Sequence, residues 1–229
     1  MSDLWVTTLG ELPYREAVAL QERLRDARQA DAIPDTLLLL EHPPTYTRGR
    51  RAQPADLPRG EQWYRDQGIA VEDSDRGSQV TYHGPGQLVG YPIVRVSSVR
   101  DYVAALERAM VAALRDEGIA ATAPDGLTGV WTGGAKIGSI GVHVSRGVTT
   151  HGFAVNVSND LAPFSWIATC GVDGAEMTSV AREKEGEASM SCFRKRTAFR
   201  LAEALGLRQR LVTPGRLLAA AAPPIALAS

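Results

Sequence analysis

Four β-rich segments follow one another at about 120–123, 128–132, 136–144 and 148–157, with no helical period between them. That grouping limits the fold more than any other feature, because a regular alternation of strand and helix would spread such segments apart. Helical patterns flank the block instead. Over residues 14–30, after Pro13, Ala17, Leu20, Leu24 and Ala27 recur at spacings of three and four. Ser98, with Asp101 three residues on, resembles a capping box ahead of the stripe Val103, Leu106, Met110 and Ala113, which Gly118 stops. A last stripe, Met190, Phe193, Thr197, Leu201 and Leu205, ends at Gly206. Shorter strands are expected at 4–9, at 36–40, and at 79–82 and 88–94 around the turn Gly84-Pro85-Gly86. Strands grouped together, with helices at the start, middle and end, predict an α+β fold.

No repeat and no linker divides the 229 residues, so 1–210 is expected to be a single domain and 211–229 a flexible tail. Residues 41–70 carry Pro43, Pro44, Gly49, Pro54, Pro58, Gly60 and Gly68 and are expected to form a long loop. With 44% hydrophobic and 22% charged residues, the chain is of globular type. Its 25 basic and 26 acidic side chains leave no polyanion footprint, which argues against nucleic-acid binding. Two cysteines cannot build a disulfide framework or a four-cysteine zinc site. The first residues lack a basic, apolar leader, and the apolar stretch 217–222 is broken by Pro223-Pro224, far short of the roughly 20 residues that span a bilayer. A cytoplasmic protein without membrane contact is expected.

Three residue types could carry chemistry. Cys170, in Ile167-Ala168-Thr169-Cys170-Gly171, reads by itself as a small buried hydrophobe. Gly171, which permits close backbone approach, and polar groups a short way upstream favour a nucleophile. Cys192, inside the last helical stripe, is expected in the core. Lysine is scarce: Lys184 and Lys195 lie in charge runs, whereas Lys136 lies alone in the glycine-dense strand Gly133-Gly134-Ala135-Lys136-Ile137-Gly138-Ser139-Ile140-Gly141. A snorkelling rim lysine and an ammonium that favours a nearby thiolate are both open readings. Among the four histidines, His83 and His151 are candidate bases, and on chemistry alone a dyad of Cys170 with either ranks above Cys170 with Lys136. His42 and His143 are expected to bond to loop backbone. No histidine spacing fits a zinc motif, and neither glycine-rich stretch fits a phosphate loop or a dinucleotide fingerprint.

Taken together, Glu41 to Arg50, Arg76 to Pro92 with Tyr82-His83-Gly84-Pro85-Gly86-Gln87, Ala135 to Val142, His151 to Val157, Asn159-Asp160-Leu161 and Cys170-Gly171 closely resemble the lipoyl(octanoyl) transferases, the octanoyl carrier-protein:protein N-octanoyltransferases of lipoate biosynthesis. The resemblance covers residues 4–205. It implies the biotin/lipoate protein ligase catalytic fold, a large mixed β-sheet plus a smaller sheet flanked by helices, and an acyltransferase without a resident cofactor or metal. Octanoyl or lipoyl groups would come from the phosphopantetheine of acyl carrier protein. They would go to lysines of lipoyl domains in 2-oxo acid dehydrogenase complexes and of the glycine cleavage H protein, and the enzyme would act as a monomer. The resemblance implies an acyl-thioester on Cys170, activation by Lys136, and substrate contacts from Arg76, Gly77, Ser78, Gln79, Val80, Thr81, Tyr82, His83, Ser139, Ile140, Gly141, Gly152, Phe153 and Ala154. His151 and Asn156 would support them. It reverses the ranking by chemistry alone in favour of lysine. Ser78 departs from a frequent glycine and Thr169 from a frequent proline. Arg48, Arg50, Arg51 and Arg59 are the densest positive cluster and could steer an acidic carrier. The alternatives are an ATP-dependent lipoate–protein ligase of the same fold and a Cys/His thioester hydrolase.

Overall fold

The computed structural model describes residues 2–168, 176–184 and 188–222. In chain order it contains β1 (Asp3–Glu11), α1 (Tyr14–Gln29), β2 (Asp35–Glu41), β3 (Thr45–Arg48), α2 (Glu61–Asp66), β4 (Ala70–Asp73), β5 (Val80–His83), β6 (Gln87–Ile93), α3 (Val99–Arg115), β7 (Val130–Thr132), β8 (Ala135–Ser145), β9 (Val148–Asn156), α4 (Val180–Glu183), α5 (Met190–Ala204), β10 (Arg208–Leu211) and α6 (Pro214–Ala220). Seven strands form a mixed sheet in the order β10-β1-β2-β6-β9-β8-β7, and three form a second sheet in the order β4-β3-β5. The α+β expectation therefore holds. Although Gly84-Pro85-Gly86 joins β5 to β6, those strands pair in different sheets, so the turn is a corner and not a hairpin.

The run Thr36-Leu37-Leu38-Leu39-Leu40 shows why the large sheet is central. Successive side chains point to opposite faces. Leu37 and Leu39 pack with Leu106, Met110 and Phe193 of α3 and α5, while Leu38 and Leu40 pack with Ala17, Leu24 and Leu217 of α1 and α6. A strand covered on both faces is apolar throughout rather than alternating. All four leucines are at most 1% exposed, each contributing about 1.5–3 kcal/mol of burial. The small sheet has its own aromatic core of Tyr46, Tyr64, Tyr82 and Phe164.

Three regions differ from expectation. Residues 41–70 contain β3, a 3₁₀ turn at Pro54–Asp56 and α2. Such short elements leave no period to read, and Tyr46 and Tyr64 anchor them in the small core. Only Thr122, bridged to Trp131, represents the strand expected at 120–123. Beyond residue 210, where a tail was expected, the chain enters α6, capped by Thr213, with Leu217 fully buried against the sheet. Residues 223–229 lie outside the described residues. Cys192, expected in the core, is exposed on the first turn of α5, where its amide donates to the Ser189 hydroxyl. No helix among the described residues is long and apolar enough to cross a membrane.

Candidate active site

β7 pairs with β8 only as far as Gly138, so from Ser139 onward that edge of the large sheet is open to the segment around Arg76. There the Gly77 amide donates to the Val142 carbonyl at 3.0 Å. The space between this segment, β5 and the open end of the sheet is a cavity of about 630 Å³. Arg76 to Thr81, His83, Lys136, Ser139, Ile140, Gly141, His151, Gly152, Phe153 and Ala154 all line it. Two sequence candidates face elsewhere. Tyr82 turns into the small core, its ring 5.5 Å from that of Tyr46 and 5.4 Å from that of Phe164. Asn156 donates to the Thr178 carbonyl and accepts from Gln87 and Asn159, which makes it a brace between β6, β9 and the chain after residue 176. Cys170 lies outside the described residues.

Lys136 marks one end of the cavity. Its amide donates to the Glu176 carbonyl at 2.8 Å and its carbonyl accepts from the Thr178 amide at 2.9 Å. Upstream, the Ala168 amide donates to the Asp56 carbonyl at 3.0 Å, and Ile167 packs in the small core. The Lys136 Nζ lies 5.5 Å from the centre of the Trp131 ring.

The other end is polar and closed on itself. His42 Nδ1 donates to the Leu12 carbonyl at 2.6 Å, which leaves Nε2 of the neutral ring to accept from the Tyr91 hydroxyl at 2.7 Å. Burial disfavours the imidazolium and pulls the His42 pKa down to about 4. Gln87 spends its amide N–H groups on Tyr82 and Asn156, so its oxygen accepts His83 Nδ1–H at 2.7 Å. Burial, with His42 nearby, holds His83 neutral, its pKa well below the ordinary value. His151 Nε2 meets Asp75 Oδ1 at 2.5 Å, and this bond pulls the Asp75 carboxyl down to about 2. His143, expected on loop backbone, approaches the same carboxylate at 3.6 Å. His151 itself has φ +57. β6 follows β9 only to Phe153, and the freed His151 amide donates instead to Gln21 of α1 at 2.6 Å.

Arg76 belongs to the wall. Its guanidinium donates to the Thr47 carbonyl at 2.6 Å, to the Thr47 hydroxyl at 2.8 Å and to the Gly77 carbonyl at 3.0 Å. Ser78, in place of a glycine, takes φ +80, a backbone conformation that L-residues seldom adopt. Within the arginine cluster, Arg48 is bound by Asp73 at 2.8 Å and by Glu61, and Arg59 stacks 4.5 Å over the Trp63 ring. Arg50, Arg51 and Arg59 are exposed, and Arg51 also lines the cavity.

Sequence reasoning missed Tyr14, Tyr91, Trp131 and Asp75. The first three line the cavity from elements far apart in sequence, and Asp75 binds a histidine 76 positions away. Asp75 alone left a signal, as a carboxylate next to Arg76. Among the described residues, no group of three or more His, Cys, Asp or Glu could hold a metal ion.

The family model that describes the lipoyl protein ligase A/B catalytic domain matches residues 13–202. An octanoyltransferase of Thermobifida fusca is 41% identical over 219 residues, covering 90% of this chain and 91% of its own. One of Geobacter sulfurreducens is 46% identical over 182 residues, covering 78% and 74%. Among solved structures, a bipartite lipoate protein ligase of Thermoplasma acidophilum superposes with a TM-score of 0.74 over 96% of this chain and 91% of its own, at 17% identity. A biotin protein ligase of Aquifex aeolicus reaches 0.52 over 90% and 71%, at 13% identity. These two likenesses concern the fold alone. By the matched domain and the identity to its relatives, the chain belongs to the lipoyl protein ligase A/B catalytic family, stands with its octanoyltransferases, and is an acyltransferase.

Proposed function

We propose that the protein carries octanoyl groups from the phosphopantetheine thiol of acyl carrier protein to a lysine of a lipoyl domain, through a thioester on Cys170. The observation that carries this reading is Lys136: an ammonium at one end of the cavity, on a strand laced to residues 176–178, shortly after Cys170 in the chain. A free thiol titrates near about 8.5, so a cation is needed to populate the thiolate at neutral pH. The thiolate attacks the donor thioester carbonyl, the bond from carbonyl carbon to carrier sulfur breaks, and Lys136 gives its proton to the departing sulfur. Neutral Lys136 then takes a proton from the incoming ammonium. The amine attacks the acyl-enzyme, the amide C–N bond forms, and the bond to the Cys170 sulfur breaks, restoring the thiolate. One proton passes to solvent per turnover. Going from thioester to amide runs downhill, so ATP is not required.

The cavity offers the chain an apolar floor. Residues 136–142 of β8 extend about 20 Å at strand spacing. An extended eight-carbon chain, with C–C bonds of about 1.5 Å, reaches about 9 Å. Starting at Lys136, it would end among Ile140, Phe153 and Ala154, short of the polar end.

The Asp75–His151 pair supports a second reading, because a base held by a carboxylate is half of a hydrolase triad. His151 pairs with Val142, six residues along β8 from Lys136, so a single sulfur cannot serve both. Octanoyl carrier protein mixed with apo-lipoyl domain, without ATP, tests the choice. Octanoylated domain is the expected product. Free octanoate instead would favour the histidine hydrolase, and product formed only from octanoate plus ATP would mean a ligase.

A further inference from the structure

Lys136 carries its charge on a long, flexible stem, and the structure confines that stem. It crosses Gly129 at the entry to β7: a Cβ added there would stand 2.9 Å from Lys136 Cε, 3.5 Å from Nζ and 2.5 Å from the Gly138 carbonyl oxygen. Gly129 has φ +116, which only glycine adopts without strain. Its amide donates to Glu107 Oε1 at 3.1 Å, and Glu107 belongs to α3. Beyond Gly129 the ammonium faces the Trp131 ring.

We propose that Gly129 and Glu107 are positioning residues for the Lys136 ammonium. The carboxylate holds the Gly129 backbone, the missing side chain leaves the groove in which the lysine stem lies, and the stem then delivers the charge to the cavity end. α3 thereby acts on the reacting end through a single hydrogen bond. The inference rests on the role given to Lys136 under the proposed function.

The test reads the thiol directly. In a Cys192→Ser background, which removes the exposed thiol, the rate of Cys170 alkylation by iodoacetamide is followed by intact mass from pH 5 to 10. Lys136→Ala should move the midpoint up toward about 8.5, the value of a free thiol. Glu107→Ala and Gly129→Ala should each move it up by about one pH unit, a tenfold loss of thiolate at a given lower pH. Glu107→Gln should keep the wild-type midpoint, since its amide oxygen still accepts from Gly129. A loss of packing alone would lower the melting temperature without moving the midpoint. A wild-type midpoint in Glu107→Ala, with Lys136→Ala shifted, overturns the seat and leaves the reading of Lys136 standing. An unshifted Lys136→Ala overturns both. Should Gly129→Ala not fold, the Glu107 pair decides, because alanine is the residue most compatible with α3.

Discussion

At one end of the cavity a lysine stem lies across a glycine and an indole ring; at the other, Tyr14, His42, His83, Tyr91 and His151 pack ring against ring over hydrogen-bonded neighbours. The polar end holds more groups that usually do acid–base work, yet its hydrogen bonds are committed: Tyr91 to His42, His42 to Leu12, His83 to Gln87, His151 to Asp75. Burial keeps His42 and His83 neutral at pH 7. Partnered buried polar groups hold one another in place, and among the described residues of this network His151 Nδ1 and Gln21 Nε2 are the buried atoms left without a partner. In this pair of regions, then, the abundance of titratable side chains marks a wall, and the sparse end is assigned the chemistry.

The contrast breaks most easily by mutation. Lys136→Ala should lower octanoyl transfer by about 10²–10⁴-fold, the usual worth of a general acid–base, while His151→Ala should cost less than about tenfold. Steady-state rates at saturating donor check this, and equal losses would erase the distinction. The wall should instead register in stability. Gly152 lies so close to Gly90 and Pro92 that a side chain there meets the Gly90 carbonyl. Gly152→Val should therefore cost about 3 kcal/mol and lower the melting temperature by roughly 6–12 °C.

Acid sharpens the comparison through the histidines. His42 binds its proton more weakly folded than unfolded, with its pKa near 4 instead of 6.5. The unfolded chain therefore takes up protons first. Stability should be complete above pH 6.5 and decline as pH falls toward 4, by about 2–3 kcal/mol from His42 alone, with His83 adding in the same direction. The Asp75 contribution has a separate window. With its carboxyl lowered from 3.8 to about 2, it is intact above pH 3.8 and lost only as pH falls through 2. Urea unfolding between pH 7 and 4 should show the decline, and a flat profile would contradict the buried neutral network. The smallest effect is at Ser78, where glycine would relieve φ +80. Ser78→Gly should raise stability by about 0.5–1 kcal/mol, or a few degrees in melting temperature.

How much of this was legible in the sequence depended on the range of the contacts. The long periodic elements α1, α3 and α5, the leucine run of β2 and the strands on either side of Gly84-Pro85-Gly86 are visible because each carries its own pattern. β3 and α2 are too short for any period, and α6 begins at Pro214 in an alanine-rich stretch that looks like a frayed end until Leu217 is seen buried. At the site, the resemblance identified most of the cavity lining, but it did not separate Tyr82, which alternates out of the wall, from His83, which stays in it. Asp75 with His151 and Glu107 with Gly129 join residues 76 and 22 positions apart, and nothing local announces such pairs.

Under the proposed function an acyl group resides on one sulfur during transfer. Wild-type protein mixed with octanoyl carrier protein, without any lipoyl domain, should gain the mass of one octanoyl group. Peptide mapping should place that group on Cys170, and the gain should vanish in Cys170→Ser. An unmodified wild-type mass under conditions that support transfer, or an adduct that persists in Cys170→Ser, would contradict the account.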